Sequence, residues 1–308
     1  MEKGSSLPMW PKLDLPYGLL MKAVLAPNAL VRGSVFSTLE YAGAAERPVI
    51  TEPLLLATMK QYRIEQIAGV RLSQSDADVF FWLLSRIYRR GDPSGSPSTF
   101  FEHKEALAEL GRKRGGKTDL LLADSLDRLG QAEFTYELHR SDDGEHPGAV
   151  DDEDAESAGK RPPSIVGRTR LLSRVERCDR LDSKYDYQVT IAAGVAVFFD
   201  RNDWVVLPNT ERKQLSKEPL ARGLYAFYYS HRHAYAMLPE TLKKLMGRES
   251  MQNSKWLHAL ATALAKVKTA TGWPECEVAQ VGRYAGKIVV TKGVRRRRGK
   301  KVGASVSA

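Results

Sequence analysis

Apolar residues recur along this chain with helical spacing in two stretches that lie roughly 140 residues apart, a separation that points to an internal repeat. Val79, Phe80, Leu83, Leu84 and Ile87 fall on one face of a helix predicted over 75–90. Leu220, Leu224, Phe227 and Tyr228 do the same over 219–232, where Pro219 suits a first helical turn. In each half a short strand and a short helix follow, over 102–110 and 239–246, and each ends in a Gly-Arg pair, Gly111-Arg112 and Gly247-Arg248. Glycine supplies the left-handed residue that stops a helix. A longer helix comes next, over 118–129 and 254–270, with the pattern Ala123-x-x-Leu126-x-x-Leu129 recurring as Ala261-x-x-Leu264-x-x-Val267. Each half then closes on a hairpin, 133–139 returning as 165–175 and 275–280 returning as 287–291. Helix, strand, helix, turn, helix and hairpin in that order describe a winged helix. The pattern therefore predicts an α+β fold of two tandem winged-helix domains, 1–180 and 181–294, followed by a basic tail over 295–308.

Between the strands of the first hairpin, over 141–163, the pattern fails. Asp142, Asp143, Glu145, Asp151, Asp152, Glu153, Asp154 and Glu156 occur with glycine and proline and almost no large apolar residue, so a solvated loop is expected at the first wing. That loop changes the reading of charge. The whole chain of 308 residues carries +10, and leaving those eight acids aside raises the balance to +18. Such a surplus favours a polyanionic partner, above all nucleic acid. The tail, with Arg295, Arg296, Arg297 and Arg298, is expected to add phosphate contacts.

The helix over 254–270 is the candidate reader. Trp256, Leu257, Leu260, Leu264 and Val267 form its expected buried stripe, while Lys255, His258, Thr262, Lys266 and Thr269 share the opposite face. As the second helix of a helix-turn-helix it would present its N-terminal turn to a major groove. Asn253, Ser254, Lys255, His258 and Thr262 are therefore the expected base readers. Arg112, Lys113, Arg114, Lys117, Lys243, Lys244, Arg248 and Lys266 are expected on phosphates, beside the helix starts that suit anions. The corresponding helix of the first half carries Asp119, Asp124 and Asp127 against Arg128 alone, a face that phosphates would repel. The first domain is thus expected to contact backbone or another subunit.

Enzymatic readings find less support. Gly111-Arg-Lys-Arg-Gly-Gly116-Lys117-Thr118 satisfies the phosphate-loop pattern, and Val197-Phe-Phe-Asp200 resembles a strand ending in a magnesium ligand. The pattern needs a strand before it, whereas 102–110 is a strong helix former. His231-x-His233 lies at a helix end, where a capping role is expected, and Cys178 and Cys276 lack metal-ligand spacing. No catalytic activity, cofactor or metal is expected. No apolar run reaches 18 residues, and the stretch nearest to a signal peptide, 13–25, is interrupted by Asp14, Pro16 and Lys22, so neither a signal peptide nor a membrane span is expected and a cytoplasmic protein is.

Several strings are similar to those of TrfA-type plasmid replication initiators of broad-host-range plasmids: Leu7-Pro-Met-Trp-Pro11, Leu72-Ser-Gln-Ser-Asp-Ala-Asp-Val79, Leu107-Ala-Glu-Leu-Gly-Arg112, Arg201-Asn-Asp-Trp204, Lys217-Glu-Pro-Leu-Ala221 and Phe227-Tyr-Tyr-Ser-His231. The resemblance implies tandem winged-helix domains that bind direct repeats, or iterons, at a plasmid origin. It further implies opening of an adjacent A·T-rich region, whose single strands the protein would meet, and recruitment of the host replicative helicase. In such initiators the second domain reads the repeat, the first contributes backbone contacts and dimerisation, and monomers are the active binders. The acidic loop and Arg-rich tail have no counterpart in that pattern. The Gln-Leu-x-Leu-Phe-like pentapeptide that docks on a sliding clamp is also absent, since Gln214-Leu215-Ser216-Lys217 only starts like one. A winged-helix transcriptional regulator and a phosphate-loop NTPase are the alternative functions.

Overall fold

The computed structural model describes residues 9–16, 18–41, 43–139, 164–178 and 184–293. The tail and the whole acidic loop lie outside these residues. The elements run α1 (Leu19–Lys22), β1 (Ala23–Pro27), α2 (Asn28–Val31), β2 (Leu54–Leu56), β3 (Tyr62–Ala68), α3 (Gln74–Tyr88), β4 (Ser98–Phe101), α4 (His103–Glu109) and α5 (Gly116–Gln131). They continue through β5 (Glu133–His139), β6 (Ser164–Arg170), β7 (Leu172–Arg177), β8 (Tyr187–Ile191), a 3-10 segment (Ala193–Asn202), β9 (Trp204–Pro208) and α6 (Asn209–Gln214). The last are α7 (Pro219–Ser230), α8 (Pro239–Leu245), α9 (Asn253–Thr271), β10 (Glu275–Val278) and β11 (Ile288–Thr291). This is an α+β fold.

The periodic helices form where their apolar faces require. Phe80, Leu83 and Leu84 of α3 and Leu224, Phe227 and Tyr228 of α7 are buried. The two Gly-Arg pairs close their helices identically. Gly111, at φ +69°, donates to Ala108 O at 3.1 Å and Arg112 N to Leu107 O at 2.8 Å. Gly247, at φ +65°, donates to Lys244 O at 2.8 Å and Arg248 N to Lys243 O at 3.0 Å. These are two Schellman closures, which leave the left-handed residue to glycine. At Gly247 a side chain would also meet Ser37 Oγ at 2.8 Å.

The first hairpin departs from the sequence reading. Its return does not run straight from 165 to 175: β6 pairs with β5, whereas β7 leaves for another sheet and pairs with β8. The break falls at Leu171 and Leu172, two consecutive residues that are both fully buried. A strand alternates its faces, so two successive inward residues require a change of sheet or a bulge. The acidic stretch consequently joins β5 to β6 in a four-stranded sheet ordered β2-β3-β5-β6. It does not join strands of the β4-β8-β7 sheet, as an acidic loop at the tip of the predicted first wing would. β8, beyond residue 180, is the middle strand of that sheet. In the second half β10 and β11 pair, and Met237 makes an isolated antiparallel bridge to Ile288.

The two halves meet through parts that periodicity did not reveal. β1 and β9 pair antiparallel, from Ala23 opposite Pro208 to Pro27 opposite Trp204, and each ends in Pro-Asn before a short helix. Arg32 donates to Ser230 O at 2.5 Å, Thr38 Oγ1 to Met246 O at 2.8 Å and Ser37 Oγ to Gly247 O at 3.0 Å. Asn28 Nδ2 donates to Asp203 Oδ1 at 2.6 Å.

Helix α3 supplies the other joint. Its residues two apart lie on nearly opposite faces, so Asp76 and Asp78 serve different neighbours. Asp76, fully buried, accepts from Arg128 of α5 at 2.8 Å and from Ser125 at 2.8 Å, and pairs with Arg47 at 3.4 Å. Asp78 pairs with Arg212 of α6 and Arg222 of α7 across the junction. Removing one partner from such a buried pair leaves a charge uncompensated. Asp78→Ala is expected to cost about 3 kcal/mol of stability, read as a lowered urea midpoint. An unchanged midpoint would show that the β1–β9 ribbon and the bonds from Asn28, Arg32, Ser37 and Thr38 hold the halves together without this pairing.

Candidate nucleic-acid interface

Helix α9 is held by its apolar face. Trp256, Leu260, Leu264 and Val267 are buried, and Trp256 Nε1 donates to Pro239 O at 3.0 Å, which ties the start of α9 to the start of α8. Leu257, assigned to that stripe from the sequence, is instead 45% exposed. It sits one helical step beyond the edge of the buried face. The outward face carries Ser254, Lys255, Leu257, His258, Ala261, Thr262, Ala265 and Thr269. No Asp or Glu occurs anywhere from Asn253 to Thr271.

Not all of the expected contact residues are equally available on that surface. Ser254, Lys255 and His258 are exposed together on the first turns. Asn253 Oδ1 accepts from Lys243 Nζ at 2.8 Å, so this lysine, largely buried, fastens α8 to α9 instead of projecting to solvent. Thr262 donates its hydroxyl to His258 O at 3.0 Å, which leaves it only as an acceptor. Lys266 pairs with Glu218 at the start of α7. The two helix-closing arginines turn inward: Arg112 donates to Ser75 O at 3.1 Å, and Arg248 to Thr38 O at 2.6 Å and Thr38 Oγ1 at 2.8 Å. Burial lowers the pKa of both guanidinium groups from the ordinary arginine value. A side chain so engaged cannot also reach a phosphate without giving up these bonds. Of the expected phosphate set, Lys113, Arg114, Lys117 and Lys244 are exposed. Arg295, Arg296, Arg297 and Arg298 lie outside the described residues.

Sequence reasoning missed the turn between β10 and β11. Backbone bonds order it, Gly286 N to Ala279 O at 2.8 Å and Ala279 N to Lys287 O at 2.9 Å. Arg283 lies over the Tyr284 ring at 5.4 Å, and Val281 beside them is 83% exposed. Glycines at 282 and 286 flanking an arginine and a tyrosine were the available signal.

The first half presents a different face. On α5, Leu120 and Leu121 are exposed with Asp124 and Asp127, while Asp119 approaches His103 Nε2 at 3.5 Å. The phosphate-loop lookalike spans the turn from α4 into α5, so a helix precedes it where nucleotide binding needs a strand. The segment around Val197 is 3-10 helix, not strand. Among the described residues no group of three His, Cys, Asp or Glu side chains could hold a metal ion, and no helix is long and apolar enough to cross a membrane. His233 is exposed, whereas buried His231 caps α7, its Nδ1 lying 2.7 Å from Phe227 O. Burial, with Arg32 and Lys292 nearby, pushes the His231 pKa down to about 4. Cys276 is buried and its thiol pushed up to about 12, a poor nucleophile; Leu215, in the clamp-like string, is buried.

No family model matches the chain. Among curated proteins it is 24% identical over 253 residues to the plasmid replication initiator protein TrfA of Escherichia coli, a match covering 82% of this chain and 58% of that protein. The chain thus spans less than two thirds of the length of the curated relative it matches. Among solved structures it is similar to domains 2 and 3 of RctB, crystallised as selenomethionine derivatives, at a TM-score of 0.51 and 14% identity over 86% of this chain and 96% of that one. A second structure of RctB domains 2 and 3 gives 0.45 at 13% identity over 78% and 82%. The likeness to TrfA carried by short strings is therefore a likeness of most of the chain, and the first RctB likeness is one of fold.

The neutral cap at His231 makes stability depend on pH. The ring protonates near 6.5 when unfolded and near 4 when folded, so the unfolded state binds the extra proton between these values. Stability is whole above about pH 6.5 and falls toward pH 4, by up to about 1.4 kcal/mol per unit from this group. His231→Gln is expected to flatten the decline between pH 6.5 and 5 in urea titrations. A decline of unchanged slope would place its cause in other groups.

Proposed function

We propose that the chain is a plasmid replication initiator, a non-enzymatic cytoplasmic protein that needs no cofactor and whose two halves are tandem winged-helix domains. It binds direct repeats at an origin, assists the opening of adjacent A·T-rich DNA and helps to bring in the host replicative helicase. The observation that carries this reading is the acid-free outward face of α9 on a chain similar to TrfA. A face without carboxylates can enter a groove lined by phosphates, and Ser254, Lys255 and His258 stand where side chains reach base edges. The repeated order of helix, helix, Schellman turn, helix and paired strands in α3–β8 and α7–β11, with β4 between the first two helices in one and the Met237 bridge in the other, supports the winged-helix reading.

The first half holds DNA without reading it. Lys113, Arg114 and Lys117 at the start of α5 grip backbone, while the exposed Leu120 and Leu121 among aspartates suit association with another subunit. The balance between monomer and dimer then governs how many copies are free to bind.

Side chains on base edges contribute discrimination, and those on phosphate contribute affinity alone. Lys255→Ala or His258→Ala should narrow the ratio of repeat to random-sequence binding by about 1–3 kcal/mol at one fixed salt concentration. Lys117→Ala should weaken both DNAs alike and reduce the salt slope by about one. Ratios unchanged in both α9 variants would move the reading surface to another element. Saturable ATP binding lost in Lys117→Ala would replace the proposal with a nucleotide-binding one.

A further inference from the structure

We propose that Leu257, together with Ala261, reads thymine through its C5-methyl group, which gives the proposed DNA-reading face of α9 an apolar as well as a polar half. The proposal rests on α9 being the reading helix and identifies what that helix recognises. Leu257, Ala261 and Ala265 succeed one another at steps of four and make one ridge of the outward face. His258, Thr262 and Lys266 make the neighbouring ridge.

The exposure of Leu257 leaves it free to meet a partner. At 45% exposed it is a large apolar side chain left on a helix whose other large apolar residues, Trp256, Leu260, Leu264 and Val267, are buried. Its neighbours decide what kind of partner fits. The face is cationic, with Lys255 exposed and no carboxylate from Asn253 to Thr271, so the complementary surface is anionic. Alanines at 261 and 265 keep the middle of the face low, so that the helix backbone can approach an edge of bases closely. In the major groove the exposed apolar group is the thymine methyl, and a side chain that covers it distinguishes thymine from every other base.

The test uses the full chain and a duplex selected by it from a random pool, prepared once with thymine and once with deoxyuridine at the selected thymines. Uracil keeps every hydrogen-bonding group of thymine and lacks only the methyl. The wild type is expected to bind the uracil duplex more weakly, by about fourfold for each methyl covered. Leu257→Ala, a substitution at an exposed helical position, is expected to lose affinity for the thymine duplex but not for the uracil duplex, with binding to random DNA unchanged. Equal binding of both duplexes, with sequence preference retained, overturns the methyl reading and leaves α9 as reader through its polar ridge. A uracil effect as large in Leu257→Ala as in the wild type overturns the assignment to this residue. A failure to select any preferred duplex overturns both this inference and the proposed function.

Discussion

The pairing of Asp78 with Arg212 and Arg222 is the constraint on which the arrangement of the two halves depends. One carboxylate on α3 accepts from guanidinium groups on two elements of the other half, and the low exposure of all three side chains makes any partial arrangement costly. Two residues earlier on the same helix, Asp76 binds Arg128 and Ser125 within its own half. A single turn of α3 thus fixes both the packing of α5 and the position of α6 and α7. The β1–β9 ribbon and the bonds from Ser37, Thr38 and Arg248 extend the same junction. A protein whose halves are so joined would hold the basic turn into α5 and the outward face of α9, the two proposed DNA contacts, in a fixed relation.

This junction also explains where the TrfA-like strings fall. Asp76 and Asp78 lie in the second string, Gly111 in the third, Asp203 in the fourth, and Ser230 and His231 in the last. Trp10, from the first, is buried and donates to Gly95 O at 2.8 Å. These residues close helices and join halves. None of them is on the outward face of α9. The strings therefore carry fold, whereas the residues proposed to read DNA on α9 lie beyond the last of them.

Legibility in the sequence followed the same division. The long helices α3, α5, α7 and α9 were readable because each buries a stripe of apolar residues at helical spacing, and both Gly-Arg stops were readable because glycine alone takes the left-handed turn without strain. β1 and β9 were not, being short strands whose partners lie far along the chain, and the local β2–β3 pair was not singled out either. The break at Leu171 was missed because two adjacent leucines fit a continuous strand as well as a change of sheet. In the candidate site, Lys255 and His258 were correctly placed on the exposed face. Lys243, Arg112 and Arg248 were not legible as internal ties, since composition does not distinguish an arginine that binds a carbonyl oxygen from one that awaits a phosphate.

The proposed role as an initiator is tested most directly by footprinting the full chain on the supercoiled plasmid DNA that flanks its own gene, with permanganate added to detect unpaired thymines. Protected tracts that recur in one orientation at regular spacing, beside a stretch of reactive thymines that appears only with the protein, are the predicted result. Protection with every thymine still paired would describe a regulator that leaves the duplex closed, and would contradict the account.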